Sequence, residues 1–62
     1  MEITKEKFIA YEKVRQSGLT NMFDVNKVID LAILICGVEL EKEEVLDIMK
    51  NYTKYFEKYI NN

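Results

Sequence analysis

The sequence predicts an all-α fold, a small three-helix bundle with a long C-terminal helix. The 62-residue chain has only two glycines, Gly18 and Gly37, and they divide it into three segments. Each segment repeats its apolar residues at helical spacing, and none alternates with the period of a strand. The apolar fraction of 48% is too high for a disordered tail. We therefore expect a single helical domain, 1–62. Its helices are expected at about 4–17, 22–36 and 42–60.

The first segment contains signals for both ends of a helix. Thr4 is a candidate N-cap, because its hydroxyl can accept a hydrogen bond from an otherwise unpaired backbone N–H. Ile3 and Phe8 then have the spacing of a hydrophobic staple. Gly18 follows the last apolar position and can end the helix in the left-handed conformation.

The second segment is apolar on more than one face. Asn21 and Asp24 are alternative N-caps, so the predicted start of this helix is uncertain by about three residues. Leu31 and Leu34 add apolar groups outside the main stripe. Such a helix lies at the centre of a bundle or meets a second chain. Gly37 is expected to end it.

The third segment has a heptad-like apolar pattern and a favourable charge distribution. Glu41 is at the expected cap position, acidic residues follow it, and lysines come later, which suits the helix dipole. We therefore expect one continuous helix of about 28 Å at 1.5 Å per residue. The core of the bundle is predicted to comprise Phe8, Tyr11, Val14, Val25, Val28, Ile29, Ala32, Ile35, Val45, Met49 and Tyr52.

We also expect self-association. The last turns of the long third helix extend beyond its shorter neighbours, and exposed aromatic surface of that kind marks interfaces. The alternative is that the first helix folds back and covers them. Small domains also gain stability by oligomerising. The predicted homodimer interface comprises Leu31, Leu34, Tyr55, Phe56 and Tyr59.

Composition argues against most enzymatic and nucleic-acid functions. The chain has no histidine and one cysteine, which excludes histidine-based catalytic sets, zinc sites of His and Cys, and an internal disulfide. The acidic residues around Glu43 and Glu44 are best explained as a solvated helix start, not as a catalytic or metal site. The net charge of −2 offers no basic excess for nucleic acid. We predict no enzymatic activity, cofactor or metal.

No segment predicts a secretory signal or a membrane span. The N-terminal segment is charged, and the most apolar run, 31–36, is far shorter than the ~20 residues needed to cross a bilayer. A free Cys36 suits a reducing compartment, so we expect a cytoplasmic protein.

The polar loop between the first two helices is the candidate contact site for a ligand or partner. Arg15 is the only arginine in the chain, and its planar fork suits a carboxylate or phosphate. The alternative is that Arg15 pairs with Asp24 or Glu12 and that the other polar residues cap helices. The candidate contact residues are Arg15, Ser17, Thr20, Asn21 and Asp24.

The segment Tyr11 to Val25, YEKVRQSGLTNMFDV, resembles the YxxVRxSGxTNMFD pattern of short uncharacterised proteins encoded by phages and prophages of Gram-positive bacteria. The residues from Lys42 to Tyr59 are similar to the KEE…IMxNY…KY ending of the same group. The resemblance implies a phage or prophage origin, and hence the host cytoplasm, and it brings no agreed activity.

Three functional hypotheses remain open. The leading one is a non-enzymatic interaction protein that binds and modulates a host or phage protein, for example as an inhibitor of a host defence or regulatory factor. The second is a small protein that sequesters an anionic signalling nucleotide through the loop. The third is a DNA-binding regulator, which the acidic start of the third helix disfavours.

Overall fold

The computed structural model describes residues 2–61 of the chain. That part of the chain forms helices and contains no strand, so the all-helical prediction is confirmed. The number of helices differs from the expected three. The four helices are α1 (Lys5–Ser17), α2 (Val25–Cys36), α3 (Lys42–Lys50) and α4 (Tyr52–Tyr59).

Both ends of α1 follow the sequence signals. Thr4 Oγ1 accepts a hydrogen bond from the backbone N–H of Lys7 at 3.3 Å. Gly18 ends the helix at φ +67°, in the left-handed region that glycine enters without the steric cost of a Cβ atom. Ile3 and Phe8 are both fully buried in the core, as a hydrophobic staple requires.

Helix α2 starts later than the expected residue 22. Asp24 is its N-cap, and its Oδ1 atom accepts a hydrogen bond from the backbone N–H of Lys27 at 3.2 Å. The Asn21 side chain instead accepts a hydrogen bond from the N–H of Phe23, within the preceding loop. Gly37 ends the helix at φ +68°, and its N–H donates to the carbonyl of Ile33 at 2.9 Å.

The expected continuous C-terminal helix is broken at Asn51. This residue has φ −118° and ψ 32°, outside the helical region. Its side-chain amide donates to the backbone carbonyl of Asp47 at 3.3 Å and to Asp47 Oδ1 at 3.0 Å, which satisfies acceptors at the end of α3. Asp47 Oδ2 also accepts from the Tyr55 hydroxyl, and this hydrogen bond raises the pKa of Tyr55 to about 12.

The break turns the aromatic residues of α4 onto α1. The Phe8 ring lies 5.7 Å from the Tyr52 ring and 6.1 Å from the rings of Tyr55 and Tyr59, measured between centroids. The Tyr59 hydroxyl donates to the carbonyl of Ile3. The start of α1 therefore covers α4, which was the alternative to exposed aromatic surface at the end of the long helix.

Most of the predicted core is present, with one error. Phe8, Tyr11, Val14, Val28, Ala32 and Val45 are buried, and Val25, Ile29, Met49 and Tyr52 pack against them from partly buried positions. Ile35 is 40% exposed, so its assignment to the core is wrong. The buried apolar residues absent from the predicted core are Ile3, Ala10, Leu40, Ile48 and Tyr55.

Helix α2 packs against α1 and α3 and is therefore not surrounded by the other helices. Its main apolar stripe, which includes Val28 and Ala32, faces the core. Its outer surface faces solvent, and Leu34 there is 78% exposed. The exposed apolar surface that the sequence predicts is thus found on α2. Contacts with α1 cover most of the apolar surface of α4.

Candidate functional site

The polar residues of the loop between α1 and α2 hold the loop in shape. The Ser17 hydroxyl donates to the carbonyl of Val14 at 2.6 Å and accepts from the N–H of Leu19 at 3.2 Å. Asn21 Oδ1 accepts from the N–H of Phe23 at 2.9 Å, a local turn that this side chain commonly makes. The Thr20 hydroxyl donates to the carbonyl of Asn21 at 3.4 Å.

Arg15 is paired within the protein. Its Nε atom donates to Glu12 Oε1 at 2.8 Å, and its Nη2 atom donates to Glu12 Oε2 at 3.2 Å. The guanidinium carbon also lies 5.7 Å from the centre of the Tyr52 ring. The sequence left Glu12 and Asp24 open as partners for Arg15, and the structure selects Glu12.

Glu12 is a nearly buried carboxylate at the junction of α1 and α4, with 5% of its surface exposed. Besides Arg15 it accepts a hydrogen bond from the Tyr52 hydroxyl at 2.6 Å. Burial alone would raise the pKa of Glu12, but the hydrogen bonds from Arg15 and Tyr52 together outweigh it and lower the pKa. Because this group is fully paired, its chemistry is that of a structural ion pair.

A second ion pair connects α1 to α3. Lys7 Nζ donates to Glu44 Oε2, and Glu44 Oε1 accepts from the backbone N–H of Glu41 at 2.9 Å. Burial acts to raise the pKa of Glu44, but the hydrogen bonds from Lys7 and the Glu41 backbone lower it. This carboxylate therefore caps α3 and anchors it to α1 at the same time.

The loop between α1 and α2 presents two large apolar side chains to solvent. Phe23 is 82% exposed and Leu19 is 64% exposed. The N–H groups of both residues are held by side-chain acceptors, Asn21 and Ser17 respectively, so the backbone that carries them is fixed. The sequence prediction selected the polar residues of the loop and missed these apolar ones.

A second candidate surface is an open groove of about 720 Å³ beside the seam between α1 and α2. Its floor is apolar, and charged side chains from α1 form its rim. One wall is the end of α2, where Ile35 and the half-buried Cys36 face it. The residues that line this α1–α2 groove are Lys5, Glu6, Ile9, Ala10, Lys13, Ile35, Cys36 and Val38.

Next to the groove, α2 has a second apolar stripe. Leu31, Leu34 and Ile35 have i, i+3, i+4 spacing and therefore share a face, which we call the α2 ridge. Leu31 is partly buried, and the other two are exposed. Ile35 belongs to both features, so the ridge is continuous with one wall of the groove.

The five residues expected at a self-association interface lie apart. Leu31 and Leu34 are on the α2 ridge. Tyr55 is only 5% exposed, whereas the predicted interface needs its ring at the surface. Phe56 and Tyr59 are half-buried against neighbouring aromatic rings. The structure therefore does not bring the five residues together as one surface.

In residues 2–61, no three His, Cys, Asp or Glu side chains are grouped so that they could hold a metal ion. No helix in that part of the chain combines the length and apolar character needed to cross a membrane.

The chain matches no protein-family model, and comparison with curated proteins and with solved structures also finds no match.

Proposed function

We propose that this protein is a non-enzymatic interaction protein that binds and modulates a host or phage protein in the host cytoplasm. The observation that carries the proposal is the Phe23 side chain, 82% exposed on a loop whose polar groups hold its backbone in place. Leu19, from the same loop, adds a second apolar contact. The partner is a protein with an apolar pocket for the Phe23 ring.

Phe23 has two properties of an anchor for a protein partner. Aromatic side chains that enter a pocket dominate the energy of many protein interfaces. A loop that is already ordered loses less conformational freedom on binding, so more of the contact energy remains as affinity. Ser17, Asn21 and Asp24 supply that order through their side-chain hydrogen bonds.

The loop offers less support for the alternative, an anionic nucleotide. Arg15 already forms a bidentate pair with Glu12. The hydroxyl of Ser17 donates to a backbone carbonyl and is not free to donate to a phosphate. A nucleotide would have to displace these contacts, whereas a protein pocket for Phe23 leaves them intact.

A capture experiment tests the proposal with two matched variants. Tagged wild-type protein, Phe23→Glu and Leu34→Glu are each incubated with host lysate, and bound proteins are quantified by mass spectrometry. Both variants add one charge at a position about four-fifths exposed, so neither should disturb the core. With the bait dilute enough for the wild type to be monomeric, we expect one or more proteins that wild type and Leu34→Glu retain equally and Phe23→Glu loses.

The proposal fails if Phe23→Glu retains every protein that the wild type captures. A thermal-shift series with nucleotides serves as the parallel test of the alternative. A specific ligand raises the melting temperature by mass action. An increase in melting temperature with a nucleotide that is absent in Arg15→Lys would favour nucleotide binding over protein binding as the function.

A further inference from the structure

We infer that the α2 ridge and the α1–α2 groove bind a second copy of this chain across a twofold axis. The inference concerns a different surface from the Phe23 loop and does not depend on the proposed function. Its basis is the position of a projecting apolar stripe directly beside an apolar groove.

The shape of this surface is self-complementary. In a twofold contact the same patch of both copies meets itself, so a ridge must meet a depression. Because Ile35 lies on the ridge and also lines the groove, the two features adjoin. The ridge of each copy can then enter the groove of the other, and Leu34 moves from water onto an apolar floor that includes Ile9 and Val38.

The charges around this surface also suit a copy of itself. The groove rim carries Lys5, Lys13 and Glu6. The exposed face of α2 carries Lys27 and Asp30, and Asp30 shares its side of the helix with Leu34 at i, i+4 spacing. Each half of the contact therefore offers both signs of charge, so Asp30 can pair with a rim lysine and Lys27 with Glu6.

The size of the surface indicates a weak, concentration-dependent dimer. A standard interface buries about 800 Å² on each partner, which is about a fifth of the 4213 Å² surface of this chain. The exposed face of α2 is about 18 Å long at 1.5 Å per residue. Such a face approaches this area only when the groove takes part, so we expect an interface at the small end of the range that dissociates on dilution.

Helix α4 is a poorer candidate for the same role. Tyr55 is buried, and the Tyr59 hydroxyl is bonded to the carbonyl of Ile3 within the monomer. Phe56 packs against Tyr52, with 5.9 Å between the ring centroids. Little apolar surface remains on α4 to be removed from water by a second copy.

Sedimentation equilibrium from low micromolar to millimolar concentration tests the inference on wild type, Leu34→Glu and Phe23→Glu. We expect wild type and Phe23→Glu to approach twice the 7.4 kDa monomer mass as concentration rises. Leu34→Glu should remain a monomer, because the ridge would place a charge on an apolar floor. Circular dichroism of all three chains should be the same, since both positions are exposed.

Alkylation of Cys36 supplies a second readout on the unmodified chain. Cys36 lines the groove, so dimer formation should slow its reaction as wild-type concentration rises. The rate for Leu34→Glu should be independent of concentration. A wild-type chain that stays monomeric, or a Leu34→Glu chain that still dimerises, overturns the inference. If the wild type is monomeric and Leu34→Glu loses a captured protein, the ridge belongs to a different partner. A captured protein whose binding depends on Phe23 tests the proposed function and does not bear on this inference.

Discussion

The Tyr52 hydroxyl donates a 2.6 Å hydrogen bond to Glu12 Oε1 across 40 residues of sequence. Tyr52 is the first residue of α4, directly after the break at Asn51. The contact therefore fixes the start of α4 on α1 and gives the buried Glu12 carboxylate a second donor besides Arg15. This cluster holds the start of α4 on α1 and occupies Arg15, which lies in the last turn of α1.

Replacing Tyr52 with Phe should destabilise the protein more than replacing Tyr59 with Phe. Tyr52→Phe leaves a buried carboxylate short of one donor, and hydrogen bonds to charged groups contribute about 1.5–3 kcal/mol. Tyr59→Phe removes a bond to a neutral backbone carbonyl, expected to cost about 0.5–1.5 kcal/mol. Urea unfolding of both variants measures the difference, and equal losses would show that Glu12 does not depend on Tyr52.

Stability should fall in acid because Glu12 and Glu44 have lowered pKa values in the folded protein. A lowered folded pKa stabilises the protein above the ordinary value of 4.5. That contribution is lost as pH falls through the folded pKa. We therefore expect the melting temperature to drop below about pH 4.5, the ordinary Glu value, and to drop less in Glu12→Gln. Glu57→Gln, on an exposed site, is the control and should retain the wild-type acid profile. If the melting temperature of Glu12→Gln fell in acid as much as that of the wild type, Glu12 would not be a source of the acid sensitivity.

Ile48 and Ile33 allow a core position to be compared with a position on the outer surface of the bundle. Ile48 is fully buried, so Ile48→Ala should cost about 2–5 kcal/mol and leave a domain of this size largely unfolded. Ile33 is half-exposed, so Ile33→Ala should change stability by less than about 0.5 kcal/mol. Denaturation of dilute protein compares the two, and similar costs would mean that the burial pattern is wrong.

Gly37 tests the backbone requirement at the end of α2. A Cβ atom there would meet nothing within 4 Å, so any cost of a side chain comes from the positive φ of 68°. Gly37→Ala should therefore cost about 1–2 kcal/mol. Gly37→Asn should cost less, because asparagine tolerates this conformation better. Thermal melts that rank the two variants in the opposite order would exclude backbone strain as the cause.

Helix ends were predictable from the sequence where they depend on a few neighbouring residues. Thr4, Gly18 and Gly37 act through their own backbone or through a partner three or four positions away. Such signals are present in any short segment and survive folding unchanged. The choice between Asn21 and Asp24 was harder, because both residues can cap and only the surrounding loop decides between them.

The break at Asn51 could not be predicted from local pattern. The apolar spacing continues across it, and asparagine is only mildly unfavourable within a helix. The break brings Tyr55 and Tyr59 to the start of α1, and that contact joins distant parts of the chain. Exposure of Phe23 was missed for a related reason, since an apolar residue in a loop gives no periodic signal.

We propose that the loop contacts its partner through Phe23, while its polar residues hold the loop. The most direct test is the affinity of the purified captured partner for Phe23→Ala and for Thr20→Val. We expect Phe23→Ala to weaken binding about 30-fold or more, as loss of an aromatic anchor does. Thr20→Val should weaken binding far less, because it removes only one 3.4 Å hydrogen bond within the loop. Loss of binding in Thr20→Val with full binding in Phe23→Ala would contradict the claim.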